Sequence, residues 1–152
     1  MARLEPGAKA PAFTLSDHEG KKVSLKDFAG ERLVIYFYPA DDTPGCTKEA
    51  GQFNDELARF ADLGVVVIGI SPDDAKSHVR FREKYELRLK LLSDPEKKVM
   101  AKYGAYGEKM LYGKKVQGVI RSTFLISARG TIECAWYAVR ADGHAAKVLA
   151  AL

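Results

Sequence analysis

The chain has 152 residues, with 24 lysines and arginines against 20 aspartates and glutamates and a formal charge of +4. That length suits one domain over residues 1–152, able to bury about 68–70% of the surface its unfolded form exposes, and its two cysteines, Cys46 and Cys134, are too few for a disulfide framework. No window approaches the ~18 apolar residues of a membrane span, Met1-Ala2-Arg3-Leu4-Glu5-Pro6 lacks an apolar leader segment, and basic residues fall in pairs such as Lys21-Lys22 and Lys114-Lys115 rather than in a stripe; these features imply a cytoplasmic protein that binds neither membrane nor nucleic acid.

In chain order, Phe13-Thr14-Leu15 and Val23-Ser24-Leu25 flank Asp17-His18-Glu19-Gly20, which predicts a hairpin with a longer turn. Leu33-Val34-Ile35-Tyr36-Phe37-Tyr38 is long enough for a central strand and too short for a core helix, and Pro39 stops it. Ala50, Phe53, Leu57, Phe60 and Ala61 then mark one apolar face of a helix over residues 46–63, ending before Gly64. Thr43 reads as its N-cap and Pro44 as its first residue. A strand over 65–70 completes a β-α-β unit, whose right-handed crossover pairs the two strands in parallel. Ser71-Pro72-Asp73 caps a helix running to about Tyr85, and a short helix follows from Pro95 to Tyr103, with Asp94 as N-cap and Gly104 after its last turn. Strands over 119–127 and 131–139 form a hairpin through Ala128-Arg129-Gly130, and Asp142 opens a terminal helix to Leu152. This order, β-α-β-α, β-hairpin, α, is that of an α/β thioredoxin-like sandwich: a central mixed sheet flanked by helices, with an N-terminal β-hairpin.

Placed in the first turn of the helix after a buried strand, Cys46 sits among unpaired N–H groups at the positive end of the helix dipole. A thiolate is stabilised over a thiol there, which makes Cys46 a candidate nucleophile. Arg121 falls in an otherwise apolar strand, where a guanidinium either meets an anion or snorkels from a sheet edge. Glu49, one turn beyond Cys46, reads as a first-turn acid complementing the dipole, and Pro39 as a strand terminator. Cys134, between Ile132 and Trp136, reads as a small buried hydrophobe on their sheet face. His18, His78 and His144 lack metal-ligand spacing and read as surface or cap-region residues.

At these residues the chain resembles the peroxiredoxins, in the bacterioferritin comigratory protein or peroxiredoxin Q branch. The resemblance is carried by Pro39-x-x-x-Thr43-x-x-Cys46, Tyr36-Phe37-Tyr38-Pro39, Leu91-Leu92-Ser93-Asp94, Tyr112-Gly113-Lys114 and 118–126, and covers residues 4 to 152. It implies a peroxidase that reduces hydrogen peroxide and organic hydroperoxides through a sulfenic acid at Cys46, without metal or organic cofactor. It further implies that Arg121 is the arginine of the peroxide site, that the Thr43 hydroxyl bonds the peroxide, that Pro39 shields the sulfur from water and that Glu49 orients Arg121. One departure matters. Many members carry a resolving cysteine five residues after the first, in the frame Glu-Ala-Cys, where this chain reads Glu49-Ala50-Gly51, and the next helix has no cysteine either. A one-cysteine cycle recycled by an external thiol (thioredoxin, glutaredoxin or glutathione) is therefore expected, in a monomer or a dimer. A thioredoxin-like oxidoreductase is disfavoured because Cys-x-x-Cys is missing. A thiol redox sensor, signalling to a partner through oxidised Cys46, is the alternative from another class.

Overall fold

The computed structural model describes residues 3–152; Met1 and Ala2, the first residues of the segment read for a leader, lie outside them. Among the described residues nine strands and five α-helices follow one another, with a 3-10 turn at Leu25–Phe28: β1 (Thr14–Asp17), β2 (Lys22–Ser24), β3 (Arg32–Phe37), α1 (Pro44–Asp55), α2 (Leu57–Asp62), β4 (Val65–Ser71), α3 (Ala75–Lys84), β5 (Lys90–Ser93), α4 (Lys98–Lys102), β6 (Tyr106–Leu111), β7 (Lys114–Val119), β8 (Ser122–Ile126), β9 (Ile132–Trp136) and α5 (His144–Ala150). Seven strands form one mixed sheet in the order β2-β1-β5-β4-β3-β8-β9, with β3–β4 and β4–β5 parallel and the other pairs antiparallel. No helix among the described residues is long and apolar enough to cross a membrane.

Strand alternation builds two cores, one on each face of the sheet. Leu33, Ile35 and Phe37 of β3 join Met100, Tyr103 and Phe124 on one face. Val34, Tyr36 and Tyr38 join Phe53, Phe60, Phe81 and Val148 on the other, under α1, α2, α3 and α5. A residue of β3 is thus buried whichever way it points, which is why that segment reads as an unbroken apolar run.

Several sequence expectations need correction. The single helix over 46–63 is two, because Glu56 (φ −99°, ψ 3°) ends α1 and begins α2 while the apolar spacing of Phe53, Leu57 and Phe60 runs on across the break. The third helix begins at Ala75 behind Asp74, whose carboxylate accepts the Ser77 amide; Ser71 stays in β4. In the fourth, Lys97 holds the N-cap position in a left-handed conformation, and Asp94 caps from further back by accepting the Val99 and Met100 amides. The segment 119–127 is no continuous strand: Val119 ends β7, Ser122 begins β8, and Ile120 and Arg121 link the two without belonging to either. The last helix starts at His144, after Gly143 at φ +79°, rather than at Asp142. A register shift between β8 and β9 puts Cys134 and Trp136 on one face of the sheet and Ile132 on the other, so the regular alternation expected there fails. The β6–β7 ribbon went unread because its strands carry exposed polar residues such as Glu108 and Lys115 and bury little apolar surface.

Candidate active site

The site forms where β3 ends at the carboxyl edge of the parallel strands, the usual place for a site on an open α/β sheet. Pro39 follows the buried Tyr38 and is itself half-buried. The chain then turns through residues 40–43 into α1, with Thr43 extended (φ −95°, ψ 155°) at the N-cap and Pro44 as first helical residue. Thr43 holds the cap position without capping: its hydroxyl donates instead to the Ala40 carbonyl at 3.0 Å. The hydroxyl thereby braces the loop upon itself, and its lone pairs stay free to accept.

Cys46, the third residue of α1, is 1% exposed. Arg121 reaches it from the link between β7 and β8, Nη2 donating to Sγ at 3.3 Å and Nη1 to Glu49 Oε1 at 2.5 Å. The guanidinium therefore meets a buried carboxyl and the sulfur rather than snorkelling, and Glu49, wholly buried, is a partner to it rather than a surface acid on the dipole. Backbone bonds set the arginine's origin: the Val139 amide donates to the Arg121 carbonyl, and the Ile120 amide to the Ala105 carbonyl. Burial raises the Glu49 carboxyl to about 7, against the downward pull of Arg121. Its Oε2 has no hydrogen-bond partner.

Sequence reasoning missed Gly45. A Cβ there would lie 3.3 Å from Arg121 Nη2, so the glycine leaves room for the guanidinium to approach the helix. Spacing in the sequence could not reveal this, since the crowding group comes from a residue far along the chain.

The histidines correct the surface half of the surface-or-cap reading, while His144, first residue of α5, does lie at a helix cap. His78 and His144 are buried, at 0% and 3% exposed, and His18 is half-buried. His144 Nε2 lies 2.8 Å from Thr123 Oγ1, and burial pushes its ring down to about 4. Both cysteines are unpaired; Cys134 is half-buried, beside Trp136 in the same core as Cys46. Gly51 lies half-buried in α1, with open space where a Cβ would project.

Residues 6–135 match the model of the AhpC/TSA family. Among curated proteins, peroxiredoxin Bcp of Bacillus subtilis is 42% identical over 149 residues, covering 98% of this chain and 95% of that protein. Among solved structures, the bacterioferritin comigratory protein of Xanthomonas campestris, studied for its alkyl peroxide reduction activity, aligns with a TM-score of 0.89 at 40% identity, over 97% of this chain and 96% of that one. A cysteine-to-serine mutant of PrxQ from Xylella fastidiosa aligns with a TM-score of 0.92 at 33% identity, over 99% and 96% of the two chains.

Proposed function

The chain belongs to the AhpC/TSA family and is a peroxiredoxin with a thioredoxin-like fold, a thiol-dependent peroxidase, and from that premise we propose that Cys46 is its peroxidatic thiol, working in a one-cysteine cycle. The observation that carries this reading is the double reach of Arg121, one nitrogen on Cys46 Sγ and another on a buried carboxylate. A guanidinium so held stays beside the sulfur, with its charge where charge moves during attack.

The Cys46 thiolate attacks the terminal oxygen of a hydroperoxide. The O–O bond breaks, the sulfur gains OH, and the leaving alkoxide takes a proton to depart as an alcohol, or as water when the substrate is hydrogen peroxide. Arg121 stabilises the charge that moves from sulfur to oxygen. Thr43 offers its hydroxyl to the peroxide, Pro39 keeps bulk water off the sulfur, and Glu49 orients the guanidinium. Organic hydroperoxides are included among the substrates because the Xanthomonas campestris relative was studied for alkyl peroxide reduction.

Resolution falls to an external thiol, because Gly51 stands where many relatives carry the second cysteine. The thiol condenses with the sulfenic acid, releasing water and leaving a mixed disulfide; a second thiol then frees Cys46. Thioredoxin, glutaredoxin and glutathione are the candidate donors, and the two unpaired cysteines suit the reducing cytoplasm that supplies them.

Peroxide turnover with a thiol donor tests the reading. Cys46→Ser is expected to abolish turnover and Cys134→Ser to leave most of it. A folded Cys134→Ser protein without turnover, or a quantitative Cys46–Cys134 disulfide in wild type by intact mass, would overturn the one-cysteine cycle. A single stoichiometric oxidation without turnover would identify a sensor instead.

A further inference from the structure

Cys46 presents a steric problem to its own reductant. At 1% exposure, its sulfur is closed to the thiol of a donor, which is larger than a hydroperoxide, so the loop over 39–43 and the first turn of α1 must open between the two half-reactions. The restraint on that opening is concentrated at Asp41, in the middle of the loop.

Asp41 is held from three elements. Its Oδ1 accepts the Tyr38 hydroxyl at 2.6 Å, from the end of β3. Its Oδ2 accepts Ser77 Oγ at 2.7 Å and faces His78 Nδ1 at 2.7 Å, both on α3. Its amide donates to Asp73 Oδ2 at 2.8 Å, and the same oxygen takes the Ser71 hydroxyl at 2.7 Å. The Asp41 and His78 side chains are 3% and 0% exposed. The far nitrogen of His78 lies 3.0 Å from the Leu92 carbonyl of β5. Between the Asp41 carboxyl and the Leu92 carbonyl, the ring ties the loop to β5 through both of its nitrogens.

The next residue is strained. Asp42 has φ +57°, a left-handed conformation for a residue other than glycine, and is kept there by Lys84 Nζ at 2.8 Å and Tyr85 Oη at 2.5 Å, from the C-terminal end of α3. Helix α3 therefore clamps the loop at two successive residues, and one of them relaxes when released.

We propose that the Asp41–His78 pair is a positioning latch that holds the loop closed for peroxide attack and, by resisting its opening, sets how the sulfenic acid divides between reduction by an external thiol and further oxidation to sulfinic acid. This rests on the reading of Cys46 as a peroxidatic thiol. The competing fates are both balanced: a thiol displaces water from the sulfenic acid, whereas a second hydroperoxide transfers one oxygen to it and leaves as alcohol or water. The closed form favours the second fate, because peroxide enters where a thiol does not.

The test uses single-turnover oxidation of the full chain by one equivalent of hydrogen peroxide, then dithiothreitol, followed by intact mass. His78→Gln removes the ring that joins Asp41 to β5; Ser77→Ala removes one bond to Asp41 and is the milder variant should the first fail to fold. In His78→Gln, reduction of the sulfenic acid is expected to speed up about tenfold, through a larger open population, while the initial oxidation slows and the sulfinic fraction under excess peroxide falls. Ser77→Ala is expected to move all three in the same direction by less. Pairing Asp41→Asn with His78→Gln, an amide facing an amide, is expected to restore part of the wild-type partition. Thiol reduction no faster than wild type in the variants that fold would overturn the latch. Wild type that gains no oxygen at Cys46 would overturn the peroxidase reading as well, a result seen before any variant is compared.

Discussion

Arg121 owes its position to acceptors in two directions, Cys46 Sγ and Glu49 Oε1, and only a planar fork of donors serves both. Arg121→Met is expected to slow oxidation of Cys46 by about 100-fold or more, the scale on which loss of one preorganised donor is felt. Arg121→Lys is expected to recover little of it, since one ammonium cannot satisfy both acceptors. Stopped-flow oxidation by hydrogen peroxide measures both variants; a rate unchanged in Arg121→Met would mean that the guanidinium contact contributes nothing to attack. That a cation would sit in an apolar stretch was legible from the sequence, but its contact with Cys46 was not, for 75 residues separate them. Gly45 escaped notice for the same reason.

Helix α1 has to be ordered enough to hold Cys46 and loose enough to release it. Gly51 contributes to the second requirement, since glycine inside a helix costs roughly 0.5–1 kcal/mol relative to alanine. Residues five apart on a helix point about 140° apart, so a thiol at this position pairs with Cys46 only after the turn unwinds. Gly51→Cys is expected to replace a dimedone-trappable sulfenic acid with an internal disulfide after one equivalent of peroxide, because a tethered thiol has a high effective concentration once the turn opens. Persistence of the sulfenic acid in that variant would show that the first turn stays closed. Strand β4 shows the opposite use of glycine. A Cβ on Gly69 would lie 2.8 Å from Tyr36 Cζ and 3.0 Å from Leu91 Cδ2, within a fully buried layer. Gly69→Ala is therefore expected to cost about 1–3 kcal/mol in urea unfolding. A loss below 0.5 kcal/mol, the scale of a neutral surface change, would mean that the Tyr36 ring can move aside.

Across the whole molecule, two buried titrations oppose each other. The His144 ring, pushed down to about 4 in the folded chain from an ordinary 6.5, binds its proton more readily when unfolded. Its contribution to stability is complete above pH 6.5 and is lost as pH falls toward 4. Glu49, raised from 4.5 to about 7, binds its proton more readily when folded. Its contribution is complete below pH 4.5 and is lost as pH rises through 7. Between pH 5 and 6.5 the two slopes oppose, so the wild type is expected to show a flat stability profile. His144→Gln unmasks a protein that gains stability on acidification. Glu49→Gln unmasks one that loses it, by about 2 kcal/mol at pH 5 relative to pH 7. Urea midpoints across this range check both signs; parallel profiles for the two variants would refute the assignment.

The sequence by itself determined the local unit that carries the chemistry: an apolar run buried on both faces, a proline stop, a turn, and a helix whose first turn holds Cys46. Every signal for it, from residue 33 to 60, lies within a short stretch, where alternation, proline and helical periodicity act. Fold class was legible for the same reason, as the order of such units. Tertiary structure alone decided what faces the sulfur and what holds its loop. Arg121 and Glu49 meet where the start of β8 packs beside α1, and His78 and Asp41 meet between α3 and the loop, because distant elements pack there. The register shift at β8–β9, which sends Ile132 and Cys134 to opposite faces, arises between strands and leaves no mark in the spacing of either one. A residue's partners follow from packing of the whole chain, whereas its element follows largely from its neighbours in sequence.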